Sequence, residues 1–171
     1  MIELKELTLE DLKKFWDFYR GSGYEVFFRH FPKGLDIKEF EVLCMVMGGP
    51  IKAVDKDSGL TSGYAITRCI PDVKHCEVSV LVPKKIQKRG LGLEIIKELG
   101  ELVFGKLAYN RLICITVEDD ERTNSLLTLG NLTKEGVSQE SAKVLDKLCN
   151  EVRWSLTSYD YLKLYKRQGN Q

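Results

Sequence analysis

The chain has 171 residues, 43% of them apolar and 30% charged, which suits one folded domain spanning residues 1–171 and is short for two. Its 26 basic and 25 acidic side chains leave a net charge of +1, which argues against a nucleic-acid binder. No apolar run approaches the ~20 residues of a membrane span, and the opening "MIELKELTLE" lacks a signal-peptide core, so a cytoplasmic protein is expected. The five cysteines are odd in number, show no Cys-x-x-Cys spacing and are joined by only two histidines, so neither a disulfide framework nor a metal centre is expected.

In chain order, "MIELKEL" alternates as a strand does. "TLEDLKKFWDFYRG" predicts a helix with Thr8 as N-cap, Asp11 at the third position and Gly21 at its end. "YEVFFRHFP" has no clear period. "DIKEFEVLCMVMGG" predicts a second helix, opened by the Asp36/Glu39 pair and stopped at Gly48-Gly49. "IKAVDKDSGLTSGYAITRCI" reads as a hairpin turning at Asp57-Ser58-Gly59, and "HCEVSVLV" as a further strand. "LGLEIIKELGELVFGKLAYN" sets Leu91, Ile95, Leu99, Leu102 and Val103 on one helical face. "RLICITVED" is nearly all apolar and β-branched, as a buried central strand should be.

Between the strand "HCEVSVLV" and that long helix lies "PKKIQKRGLG", with four cations and two glycines in ten residues. A helix N-terminus gathers free backbone N–H groups and positive dipole, and glycine lets a ligand approach the backbone closely. A phosphate or pyrophosphate is the natural guest of such a corner. The spacing matches neither a Walker loop nor the dinucleotide fingerprint.

Gln87-Lys88-Arg89-Gly90-Leu91-Gly92 resembles the Gln/Arg-x-x-Gly-x-Gly/Ala signature of the GNAT N-acetyltransferases, in the same strand–signature–helix–strand context. The likeness covers about residues 60–165 well and the N-terminal third loosely. Pro83 to Gln87 is one step longer than is usual in that family. The resemblance implies an α/β (α+β) fold with a mixed central sheet flanked by helices, acetyl-CoA as co-substrate and no metal. It places the pyrophosphate on Gln87, Lys88, Arg89, Gly90, Leu91 and Gly92, and the pantetheine arm along Val80, Leu81 and Val82. Asp119 and Asn124, just past the buried strand, are candidates to touch the arm or its water, with solvated loop residues as the competing reading.

Towards the C-terminus, "SQESAKVLDKLCN" resembles the family's helix after the buried strand. That reading puts the helix at 138–149, preceded by an extra helical element near 120–130. "VRWSLTSYDYLKLYKR" then closes the sheet as its last strand. "TLGNLTKEGV" also resembles an ending found in the ribosomal-protein N-terminal acetyltransferase subgroup.

Direct acyl transfer from a thioester needs a neutral amine, a donor for the developing oxyanion and a proton for the leaving thiolate. The resemblance makes Glu77 the carboxylate that takes the amine proton; a solvated strand-end glutamate is the competing reading. His75, two residues away on the same face of a regular strand, reads as a surface imidazole. The expected helix "SAKVLDKL" offers no tyrosine as the thiolate acid, so Tyr159, Tyr161 and Tyr165 on the expected last strand are the substitutes, Tyr159 first, with a packing aromatic as the competing reading of each. Cys149 would be a nucleophile only if a base or dipole activated it. The acceptor is an amine on a protein N-terminus, a lysine or a small molecule. At pH 7, deprotonation costs about 4.6 kcal/mol for a lysine-like amine and about 1.4 kcal/mol for an α-amine of pKa near 8. A non-catalytic acyl-CoA-binding or regulatory module is the alternative function. No nucleic-acid or membrane partner is expected, and the protein is expected as a monomer or homodimer.

Overall fold

The computed structural model describes residues 1–22, 34–46, 49–82, 90–144 and 147–166. The elements are β1 (Ile2–Glu6), α1 (Leu9–Ser22), α2 (Ile37–Val46), β2 (Pro50–Asp55), β3 (Thr61–Ile70), β4 (His75–Leu81), α3 (Leu91–Gly100), β5 (Arg111–Val117), α4 (Glu121–Leu129), β6 (Thr133–Val144), β7 (Lys147–Thr157) and α5 (Ser158–Tyr161). One sheet of seven strands runs in the order β1-β2-β3-β4-β5-β7-β6. Only β4 and β5 pair in parallel. This is the mixed α/β sheet that the sequence leads one to expect.

The helix starts follow from local chemistry. At α1 the Asp11 amide donates to Thr8 Oγ1 (3.2 Å), and the Thr8 amide donates back to the Asp11 carboxylate (3.0 Å). Asp36 and Glu39 repeat the reciprocal arrangement at α2, both bonds at 2.9 Å. Each box satisfies two N–H groups that no helical carbonyl can reach. The β2–β3 hairpin turns where expected: Asp55 Oδ1 accepts from the amides of Asp57 and Ser58, and Gly59 takes φ +69°.

Strand alternation divides the interior into two cores on opposite faces of the sheet. On one face, Phe15, Tyr19 and Phe40 from α1 and α2 pack on Tyr64, Ile66 and Leu81. On the other, Ile95, Leu99 and Val103 join Ala65, Cys76, Val78, Leu112, Cys114 and Trp154. α3 continues in a π-helical turn over Glu101–Lys106, so the apolar stripe predicted for it extends past Gly100. Tyr161 fills the space above Gly100, where a Cβ would lie 2.7 Å from its ring, and donates to Glu101 Oε2 at 2.9 Å.

The C-terminal third departs from expectation. Residues 138–149 are not a helix. Residues 138–144 lie in β6 and 147–149 in β7, two strands that pair antiparallel. The helix after the buried strand is α4, capped by Asp120, whose Oδ1 accepts from the Thr123 amide at 3.1 Å. The alanine, lysine and leucine of "SAKVLDKL" favour a helix locally, but strand pairing overrides that preference. β7 pairs along all seven residues of β5, from Arg111↔Thr157 to Val117↔Glu151, and β6 lies outside it as the edge. β6 is exposed along most of its length and bulged between Ser138 and Ala142, so no apolar alternation marks it as a strand. The expected last strand also ends early: Thr157 caps α5, accepting from the Asp160 amide at 3.2 Å.

Candidate active site

β4 and β5 pair only through His75↔Arg111, Cys76↔Leu112 and Glu77↔Ile113. Beyond these rungs each strand stays with its outer neighbour. β4 remains on β3 as far as Leu81↔Tyr64, and β5 remains on β7 as far as Val117↔Glu151. The two strands therefore part after Glu77 and open a gap within the sheet. The Leu81 carbonyl lies close to Gly63 of β3, 2.6 Å from where a Cβ there would sit. Successive strand residues direct their backbone groups to alternate sides, so Val80 presents its N–H and C=O to the gap while those of Leu81 go to β3.

At the end of β4 nearest the gap, α3 begins at Gly90, with φ +72° and ψ 0°. Glycine takes this left-handed geometry without the strain a Cβ brings. Among the described residues no side chain caps the helix, and the Gly90 carbonyl accepts from the amides of Leu93 and Glu94. Among the described residues no acceptor meets the amides of Leu91 and Gly92. That end of α3 has the amide and dipole character that suits an anion. Gly92 also permits close helix packing, since a Cβ there would lie 2.8 Å from Leu126 Cδ2 of α4.

The sequence-derived residues are placed unevenly. Gln87, Lys88 and Arg89, with Pro83, Lys84 and Lys85, lie outside the described residues. Val80 borders the gap, whereas Leu81 is fully buried on the α1–α2 side with its backbone engaged by β3. Val82 is buried on the α3 side. Asn124 is not a free ligand of the gap. Its Nδ2 donates to the carbonyls of Val117 (3.1 Å) and Glu118 (3.0 Å), and Thr116 donates to its Oδ1. It thereby ties the end of β5 to α4, a positioning role that sequence reading missed. The Trp154 indole adds a bond to Thr116 Oγ1 at 3.0 Å.

Glu77 stands at the fork on the α1–α2 face, with its side chain 17% exposed. Its Oε2 lies 3.5 Å from Nη1 of Arg68, directly opposite on β3. His75 shares that face and is half-buried. Tyr159 is placed differently from expectation: it belongs to α5, is 73% exposed, and follows the end of β7 that pairs with Arg111, away from the gap. Tyr161 is buried against α3, and neither α4 nor 138–149 supplies a tyrosine. Further along the α1–α2 face, Glu135 of β6 is ion-paired with Arg111 and Arg153 and accepts from Ser155 Oγ at 2.7 Å. Its position inside a β-bulge, between Lys134 and Gly136, hid this cluster from a period-2 reading.

The described residues contain no cluster suited to a metal ion and no helix long and apolar enough to cross a membrane.

No family model matches the chain, and no curated protein matches it by sequence. Solved structures do match. Spermidine N-acetyltransferase from Vibrio cholerae, in complex with CoA and spermine, superposes with a TM-score of 0.84 at 13% identity, covering 94% of this chain and 98% of that one. A chimera of the Vibrio cholerae enzyme SpeG with hSSAT gives 0.82 at 14% identity, covering 94% and 98%. Mutant forms of the Vibrio cholerae spermidine/spermine N-acetyltransferase give 0.80 at 12% identity, covering 96% and 99%. The chain therefore has the fold of these N-acetyltransferases over nearly its whole length.

Proposed function

We propose that the chain is an acetyl-CoA-dependent N-acetyltransferase that moves the acetyl group directly to an amine. The observation that carries this reading is the parting of β4 and β5 just beyond Glu77, next to the left-handed start of α3 at Gly90. The α3 amides, with Gln87, Lys88 and Arg89 preceding them in sequence, would hold the pyrophosphate. The Val80 backbone would pair with the pantetheine arm and offer a donor to the developing oxyanion. Glu77, on the face opposite the α3 core, would take the amine proton. The likeness to polyamine acetyltransferases favours a small-molecule amine; a protein N-terminus, the acceptor class of the ribosomal-protein subgroup, ranks second.

The test is release of coenzyme A from acetyl-CoA in the presence of an amine panel, combined with calorimetry of coenzyme A binding to wild type and Gly90→Asp. Saturable turnover with at least one amine, and weakened binding in the variant, support the proposal. Equal affinity in both proteins overturns the cofactor site. The absence of a tyrosine from α4 and the remote position of Tyr159 support a second reading, a non-catalytic acyl-CoA-binding module. Tight coenzyme A binding with no turnover on any amine would select it.

A further inference from the structure

β3 runs into β4 through a short 3-10 turn, Pro71–Val73, followed by Lys74. One rung in from that turn, Cys69 and Cys76 oppose each other in register, with their sulfurs 2.9 Å apart. Because the Leu81 carbonyl is turned toward β3, the odd-numbered residues of β4 exchange the backbone bonds with β3. Cys69–Cys76 is then a non-hydrogen-bonded pair, for which Cα atoms stand about 4.5 Å apart, inside the roughly 4.4–6.8 Å range of disulfides. The remaining approach to about 2.05 Å is some 0.9 Å, a distance that side-chain rotation covers with the register unchanged. Among the described residues no other sulfur–sulfur contact occurs: Cys44 and Cys114 are buried, and Cys149 lies in the β6–β7 hairpin.

We propose that Cys69 and Cys76 form a reversible thiol–disulfide site, oxidised by small-molecule disulfides. Cys69 is part-exposed and meets the oxidant; Cys76 is fully buried. Burial first, then the facing Cys69, pushes the Cys76 thiol above its ordinary pKa, so Cys69 reacts first. The Cys69 thiolate attacks one sulfur of R–S–S–R, forming Cys69–S–S–R and releasing the other half as a thiolate that takes up a proton. The Cys76 thiol then gives up its proton and attacks Cys69 Sγ, and the second R–S leaves as a thiol. Two protein thiols are oxidised and one small disulfide is reduced to two thiols. The bond forms on the α3 face of the sheet, one residue before Glu77 and on the opposite side from it. It staples the closed end of the β3–β4 pair and leaves the α1–α2 face clear.

The experiment treats the native protein with glutathione disulfide, blocks remaining thiols and maps the peptides. The expected product joins the Cys69 and Cys76 peptides, is reversed by dithiothreitol and raises the midpoint of thermal unfolding by about 5–10 °C. Cys69→Ser should lose the cross-link, while Cys76→Ala should retain glutathione on Cys69. Glutathione left on Cys69 of the wild type without a cross-link would overturn the proposal. So would a cross-link through Cys44, Cys114 or Cys149, or one that forms only in denaturant. The wild-type map decides the matter even if Cys76→Ala fails to fold.

Discussion

Replacing Gly63 by alanine probes the sheet at the mouth of the gap. The added Cβ would sit 2.6 Å from the Leu81 carbonyl oxygen and 3.0 Å from Ile95 Cδ1. The isoleucine methyl can rotate aside, but the carbonyl belongs to the backbone of β4. An ordinary carbon–oxygen contact is about 3.3–3.6 Å, so β3 and β4 must part locally by roughly 0.7–1 Å. Overpacking of this kind costs about 1–3 kcal/mol, and the stretched Tyr64–Leu81 backbone bond adds up to about 1 kcal/mol. Stiffening of the unfolded chain by alanine returns about 0.4–1 kcal/mol. The net loss is about 1–3 kcal/mol, which for a chain of this size lowers the thermal midpoint by about 3–10 °C. Because the displaced carbonyl is the last of β4, coenzyme A affinity should fall as well. Gly136→Ala is the control: among the described residues an added Cβ there meets nothing within 4 Å. Thermal unfolding followed by circular dichroism reads the first effect and calorimetry the second. A Gly63→Ala protein that melts within 2 °C of wild type, an upper limit set at about 1 kcal/mol, would refute the clash argument.

Glu77→Gln should lower turnover about 10²–10⁴-fold with coenzyme A affinity retained, and the deficit should shrink as rising pH deprotonates the amine; steady-state kinetics across pH checks it, and a loss under threefold at pH 7 would make Glu77 a strand-end carboxylate. The Lys52 ammonium, 2.6 Å from Asp11, and the Thr8 amide hold the Asp11 carboxyl at about 2, below its ordinary 3.8. A depressed carboxyl stabilises above its unfolded pKa and loses that contribution as pH falls, so Lys52→Met should cost about 1–2 kcal/mol at neutral pH and least near pH 2, read from urea midpoints at several pH values. Asn124→Ala removes the amide's bonds to the Val117 and Glu118 carbonyls and the acceptor of the Thr116 hydroxyl, although Val117 keeps the Asp120 amide and Thr116 keeps the Trp154 indole; it should cost about 1–3 kcal/mol while weakening coenzyme A binding, by denaturation and calorimetry.

The first two-thirds of the fold was legible because its signals are local or periodic. Thr8 and Asp36 announce their helices through boxes closed within four residues, and "RLICITV" is apolar because both faces of β5 are covered. The glycine corner was legible by residue type, since only glycine takes φ +72° without strain. What failed depends on partners distant in sequence. Residues 138–149 look helical in isolation, and only the β7–β5 pairing, which leaves β6 as an exposed edge, makes strands of 138–144 and 147–149. The bonds of Asn124 to the Val117 and Glu118 carbonyls were illegible too, because nothing in the sequence reveals that the chain curls back to it. Tyr159 was lost with the strand that was expected to carry it, which stops at Thr157.

The outer half of the β6–β7 hairpin has a consequence for how the molecule breathes. Among the described residues β5 pairs with β7 only from Glu151 onward; just beyond, the Glu118 amide donates to the Asn150 carbonyl, Asn150 Nδ2 donates to Glu118 Oε2 at 2.8 Å, and exposed Lys147 and Asp119 stand 3.8 Å apart. Beyond that point Ala142↔Cys149, Lys143↔Leu148 and Val144↔Lys147 form a two-stranded ribbon that no third strand joins among the described residues. A free ribbon is marginal in water, so this segment opens at a fraction of the free energy needed to unfold the whole sheet. Its amides should exchange with deuterium early and without regard to global stability, while those of β5 and the 151–157 stretch of β7 exchange only when the whole domain unfolds. A protease added to the native protein should make its first cut there and leave the gap between β4 and β5 intact.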